Sequence, residues 1–91
     1  MRSDKQLLEI LFLYWERCQV TDTENKYNGL CGAIKSLTII WESITEKEAI
    51  RLKQIICEHL KKNGEHFPYI FTPKRHHIRL KFLKTLINKY K

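Results

Sequence analysis

The sequence predicts a mainly α-helical protein, a small four-helix domain with a short extended aromatic segment before the last helix. Helix-capping signals stand at Ser3, Thr45 and Thr72, and apolar residues recur at intervals of three and four behind each of them. The chain has 91 residues, 43% of them hydrophobic, which suffices for one modest core. We therefore expect residues 1–91 to form a single domain.

The first helix is predicted over about Asp4–Val20. Ser3 opens a Ser-Asp-Lys-Gln box, in which its hydroxyl caps the helix and Gln6 reaches back to the cap. Apolar residues cover more than one stripe of this helix, so it either lies at the centre of the domain or faces another subunit. This excess of apolar residues on the first helix predicts a homo-oligomer, a dimer or higher, formed through Leu8, Phe12 and Trp15.

The middle of the chain predicts two helices after a polar loop. The second helix should span about Asn28–Trp41 and bury one side, formed by Leu30, Ala33 or Ile34, Leu37, and Ile40 or Trp41. The third should span Glu46 to about Lys62, because Thr45 and Glu48 form a second capping box. Its buried positions are expected at Ala49, Leu52 or the stem of Lys53, Ile56 and Leu60.

An extended strap and a fourth helix are predicted to complete the chain. The segment Glu65–Phe71 is aromatic, β-prone and interrupted by proline, which is typical of an extended strap. Thr72 followed by Pro73 predicts the start of a helix that continues to the end of the chain. Its inner face should carry Ile78, Phe82, Leu86 and Tyr90, with Leu83 and Ile87, and its outer face the basic residues.

The net charge of +7 lies entirely in residues 74–91. Residues 1–73 contain ten Lys or Arg and ten Asp or Glu, whereas residues 74–91 contain seven basic side chains and no acidic one. Clustered positive charge indicates an anionic partner, such as a phosphorylated small molecule, a nucleic acid or an acidic protein surface. The alternative is a solvated helix face with an excess of lysine.

The beginning of the fourth helix is the predicted anion site. The N-terminus of a helix favours acidic residues, but the N-terminus of this helix is basic. The basic residues become favourable when a phosphate is bound, because the backbone amides, the helix dipole and the guanidinium groups then all interact with it. Arg75 and Arg79 are spaced to meet one phosphate and are expected to lie off the apolar face, while Tyr69 offers a stacking surface or packs in the core. The candidate ligand-binding residues are Tyr69, Lys74, Arg75, His76, His77 and Arg79.

Catalytic, metal and cofactor sites are not predicted. Cys57 and His59 fall on different sides of one helix, and adjacent His76 and His77 lack chelating spacing. We expect a non-enzymatic protein without cofactor or metal, whose three cysteines are reduced core thiols. No apolar run approaches the roughly 18 residues that a membrane span needs, so a cytoplasmic protein is expected.

Several short motifs resemble a group of small, mostly uncharacterised proteins encoded by bacteriophages and prophages. They are Gly29-Leu30-Cys31, Thr45-x-x-Glu48, the aromatic strap with proline, and Arg79-x-x-Phe82-Leu83. The resemblance covers about residues 29–87 and leaves the first helix outside. It implies a viral accessory role in the host cell, such as blocking a host defence.

Three functions remain open from the sequence. The first is counter-defence by binding and sequestering a phosphorylated signalling nucleotide. The second is inhibition of a nucleic-acid-targeting defence effector, as anti-CRISPR proteins do. The third is a nucleic-acid-binding regulator, although the segment before Thr45 gives no recognition-helix pattern.

Overall fold

The structure, a computed structural model, describes residues 1–17, 30–62 and 76–90. Within these ranges the chain forms four helices and no strand, which confirms the predicted mainly helical fold class. The helices are α1 (Asp4–Arg17), α2 (Leu30–Lys35, continued by a π-helical turn over Ser36–Ile40), α3 (Glu46–Lys62) and α4 (His76–Asn88). The predicted strap and the Thr72-Pro73 cap lie outside the described residues.

Helix α1 is the centre of the domain. It packs against α2, α3 and α4, most extensively against α4. Leu8 and Trp15 have no exposed surface, and Phe12 is half-buried against the same core. The expectation that Leu8 and Trp15 face another subunit is therefore wrong, because three neighbouring helices of the same chain absorb the apolar surplus of α1.

Both capping boxes described by the structure form as predicted. The Ser3 amide donates to Gln6 Oε1 at 2.9 Å, and the Gln6 amide donates to Ser3 Oγ at 3.2 Å. In the second box the Thr45 amide donates to Glu48 Oε1 at 2.9 Å, and the Glu48 amide donates to Thr45 Oγ1 at 3.2 Å. Each box satisfies amides that a helix start leaves without intrahelical acceptors.

The buried Glu48 carboxylate also ties the start of α3 to the start of α1. Its Oε2 accepts the Arg2 amide at 2.9 Å, and its Oε1 accepts the Arg2 guanidinium at 2.9 Å. Hydrogen bonds from the amides of Thr45 and Arg2 are the main reason that the pKa of Glu48 is lowered to about 2. Nearby, the Arg51 guanidinium donates two hydrogen bonds to Asp4, which lowers the pKa of that carboxyl.

A π-helical turn changes the direction of the side chains at the end of α2. The Trp41 amide donates to the Ser36 carbonyl at 2.9 Å, and the Ser43 amide donates to the Leu37 carbonyl at 2.8 Å. Leu37 is buried as expected, but Ile40 and Trp41 are 59% and 44% exposed. The expectation that one of them faces the core is wrong, because the wider turn rotates the residues after Leu37 away from their α-helical positions.

The inner face of α4 is rotated from the predicted one. Arg79, Leu83 and Leu86 are buried, whereas Ile78 and Phe82 are only half-buried and Tyr90 is 37% exposed. Leu83 and Leu86 were expected on this face, but Arg79 was not. The most buried positions of α4 therefore form one row spaced four and three residues apart, and Leu80, Phe82 and Ile87 pack against the core beside it.

Glu48 should make the stability of the fold depend on pH in acid. Its pKa is depressed in the folded state, so its contribution is complete above the unfolded pKa of about 4.5 and is lost as the pH falls towards 2. We expect the difference in unfolding free energy between the parent and Glu48→Gln, measured by urea unfolding, to shrink by about 2 kcal/mol from pH 6 to pH 3. A difference that stays constant over this range would contradict the assignment.

Candidate anion-binding face of the last helix

Arg79 is a cation buried in the protein core. Its side chain has no exposed surface, and its Cζ lies 4.3 Å from the centroid of a Trp15 ring, in cation–π geometry. Burial lowers the pKa of Arg79 to about 10, and the neighbouring Tyr14 partly opposes that shift. The guanidinium is therefore still protonated at neutral pH, inside the domain.

This position corrects one part of the predicted site. Arg75 and Arg79 were expected to reach one phosphate from the surface of the fourth helix, off its apolar face. Arg79 instead belongs to that face, because stacking on Trp15 holds its guanidinium between α1 and α4. Arg79 thus acts as a structural residue beneath the helix surface, and its replacement should disturb the core.

The opposite side of α4 carries exposed lysine and histidine side chains. His77, Lys81 and Lys84 are exposed and stand four and three residues apart, directly opposite the buried row. We call these three residues the cationic face; they extend over about 10 Å along the helix axis. Residues 76–90 include no Asp or Glu, and neither ion pair found among the described residues, Arg2–Glu48 or Asp4–Arg51, involves α4.

The other predicted site residues are placed only in part. His76 is the first residue of α4, and His77 belongs to the cationic face. Tyr69, Lys74 and Arg75 lie outside the described residues, so their role remains a prediction. Lys81 and Lys84 were not singled out as ligand-binding residues, although their spacing from His77 was readable in the sequence.

Surface cavities lined by described residues lie away from the cationic face. A groove of about 300 Å³ is lined by five apolar or aromatic residues and three polar ones, namely Ile10, Leu13, Tyr14, Leu37, Trp41, Arg2, Arg17 and Ser43. Trp41 meets Tyr14 edge to face, with ring centroids 5.1 Å apart. A wider depression of about 770 Å³ surrounds the corner where Arg2 and Glu48 pair. The groove was not predicted, because the positions of Trp41 and Ser43 depend on a π-helical turn that has no signal in the sequence.

The residues that the structure describes also bear on metal sites, free thiols and membrane-spanning helices. There, no group of three His, Cys, Asp or Glu side chains is arranged to hold a metal ion. Cys31 and Cys57 are free thiols; Cys57 is half-buried, but Cys31 is exposed, so the expectation of core thiols is wrong for Cys31. None of the described helices has the length and apolar character needed to cross a membrane.

Comparison with known proteins adds no assignment. No protein-family model, curated protein or solved structure matches the chain.

The contact between Trp15 and Arg79 should be measurable as a coupling energy. We expect a double-mutant cycle of Trp15→Leu and Arg79→Met, followed by urea unfolding, to give a favourable coupling of about 1–2 kcal/mol, because the pair is desolvated. The matched cycle of Trp15→Leu with Lys84→Met, at an exposed position of the same helix, should give a coupling within about 0.5 kcal/mol of zero. Equal couplings in the two cycles would show that the stack does not stabilise the fold.

Proposed function

We propose that this protein is a non-enzymatic anion-binding protein, which holds a phosphorylated ligand at the cationic face and the beginning of α4. The observation that carries the proposal is the arrangement of His77, Lys81 and Lys84 on one exposed side of a helix without any acidic residue. In an ordinary solvated helix, lysines are commonly interspersed with acidic residues three or four positions away, which relieve their mutual repulsion. Here an external anion would take that role.

The helix geometry favours phosphate as this anion. The first amides of α4 point away from the helix, and its dipole places partial positive charge at the same end. His77 is near that end, and the buried Arg79 adds a further positive charge beneath the surface without contacting the ligand. The positive potentials of the helix end, the buried cation and the exposed lysines therefore add together.

The ligand class that we propose is a phosphorylated signalling nucleotide. Two lysines and a histidine over about 10 Å suit a ligand with more than one phosphate group. Sequestration requires affinity alone, so no catalytic group is needed. The resemblance to phage-encoded accessory proteins supports counter-defence in the host cytoplasm as the biological role, with the bound nucleotide withheld from its receptor.

A nucleic-acid strand is the second candidate ligand, and the linear spacing of the cationic face favours it. A strand carries a phosphate about every 3.4 Å along a duplex axis, so a face about 10 Å long spans several of them. The protein would then act as an inhibitor of a nucleic-acid-targeting defence effector or as a nucleic-acid-binding regulator. Salt dependence separates the two candidates, since a strand releases several counterions on binding.

The test is a titration of the parent and of Lys81→Gln/Lys84→Gln by isothermal calorimetry. The ligands are a panel of cyclic dinucleotides, ATP, and a ten-nucleotide single-stranded DNA. We expect the double substitution to weaken binding about tenfold, a value set below that of buried charged contacts because both lysines are exposed. The helical circular-dichroism spectrum should not change, because neither side chain packs in the core.

The control is Lys47→Gln/Lys53→Gln, which removes the same charge from exposed positions of α3. It should bind the panel nearly as well as the parent does. If the two double variants lose affinity equally, binding reflects only net charge. If no member of the panel binds the parent at millimolar concentration, the proposed ligand classes are wrong.

A further inference from the structure

A second surface, separate from the cationic face, is apolar and exposed. Leu13, Ile39, Ile40 and Trp41 are between 44% and 61% exposed, and we call these four residues the tryptophan patch. Leu13 and Trp41 line the same groove, and Ile39 and Ile40 directly precede Trp41 in the chain, so the four exposed apolar residues are grouped in one region of the surface. Exposed apolar side chains grouped in this way are typical of a protein interface.

The backbone that presents the patch is strained. Ile39 and Ile40 belong to the π-helical turn, and Glu42, immediately after Trp41, has φ of 50°. A left-handed conformation costs a residue with a Cβ free energy that glycine would avoid. Strained backbone and π-helical turns are concentrated at functional sites, where the surrounding structure maintains them. The exposure of Trp41 therefore follows from a specific backbone conformation that the fold maintains.

The patch combines a protrusion and a recess. The side chains of Ile39 and Ile40 are the most exposed of the four, and beside them lies the groove of about 300 Å³ between Leu13 and Trp41. A two-fold symmetric contact places the same surface of both subunits against itself, so each surface must hold both the inserted group and its receptor. The tryptophan patch meets that requirement.

The charges around the patch also match a second copy of the chain. Arg17 lines the groove, and Glu42 stands between the groove residues Trp41 and Ser43. In a two-fold contact each of these charges can meet its opposite on the other subunit. A nucleic acid would be repelled by Glu42 and would leave the apolar side chains uncovered, so it suits this surface poorly.

We propose that the tryptophan patch is the interface of a symmetric homodimer. Ile39 and Ile40 of one copy enter the groove of the other, and Arg17 pairs with Glu42 of the partner subunit. The contact uses none of the residues of the cationic face. Residues 1–73 carry balanced charge, so a contact made by them avoids the like charges that a contact through α4 would bring together.

The first test is sedimentation equilibrium of the full chain from 1 to 200 µM. We expect the parent to dimerise and Ile39→Asp/Ile40→Asp to raise the dissociation constant at least about tenfold, since charges are poorly accommodated in an interface core. The matched control is Ile50→Asp, because Ile50 is an isolated isoleucine of α3 with the same 60% exposure. It should dimerise like the parent, and circular dichroism should show that all three proteins are helical.

The second test exchanges the proposed ion pair. Arg17→Glu and Glu42→Arg should each weaken the dimer about threefold to tenfold, and the variant with both substitutions should recover to within about threefold of the parent. A monomeric parent at 200 µM, a patch variant that dimerises normally, or a double exchange without recovery would overturn the proposal. Nucleotide titration of the same variants reports on the cationic face independently, so failure of one proposal is distinguishable from failure of the other.

Discussion

The stacking of Arg79 on Trp15 determines which side of α4 faces solvent. Helix α1 contributes the ring and α4 the guanidinium, at the most extensive helix contact of the domain. With Arg79 directed inward, Leu83 and Leu86 enter the core, and His77, Lys81 and Lys84 are directed away from it. A rotation of α4 by one residue would expose part of the apolar row and bring a lysine towards the core. Because Arg79, Leu83 and Leu86 are buried on one side of α4, His77, Lys81 and Lys84 lie exposed on the other side.

Burying a guanidinium to orient a helix costs desolvation free energy, and other interactions of the Arg79 side chain offset part of this cost. Desolvation opposes the charge, as the lowered pKa of Arg79 indicates, yet the pKa of about 10 leaves it protonated at neutral pH. The Trp15 ring recovers part of that cost through the cation–π contact and through burial of the arginine stem. An apolar residue at this position would pack without the penalty. The charge does, however, strengthen the positive potential on the outer side of α4, which an apolar residue would not do.

Local signals predicted the helices, and long-range contacts decided their orientation. The capping boxes at Ser3 and Thr45 and the bounds of α3 were predictable, because the residues that form them are neighbours in sequence. The inward position of Arg79 was not, since it requires a tryptophan more than sixty residues earlier. The exposure of Trp41 likewise depends on a π-helical turn that no residue pattern signals. The sequence therefore located the basic helix but could not show which of its cations reach solvent.

The two proposed surfaces lie in parts of the chain that differ in net charge. The tryptophan patch belongs to the neutral part of the chain, and the cationic face to the part that holds all the net charge. Association through the neutral part would double the number of cationic faces without placing them in contact. Two faces on one particle raise the effective concentration of the second site for any ligand long enough to reach both. A flexible strand of nucleic acid can be long enough to contact both faces of one dimer. A small nucleotide is too short and would occupy each face separately. The dimer would thus strengthen binding of a polymer much more than binding of a nucleotide.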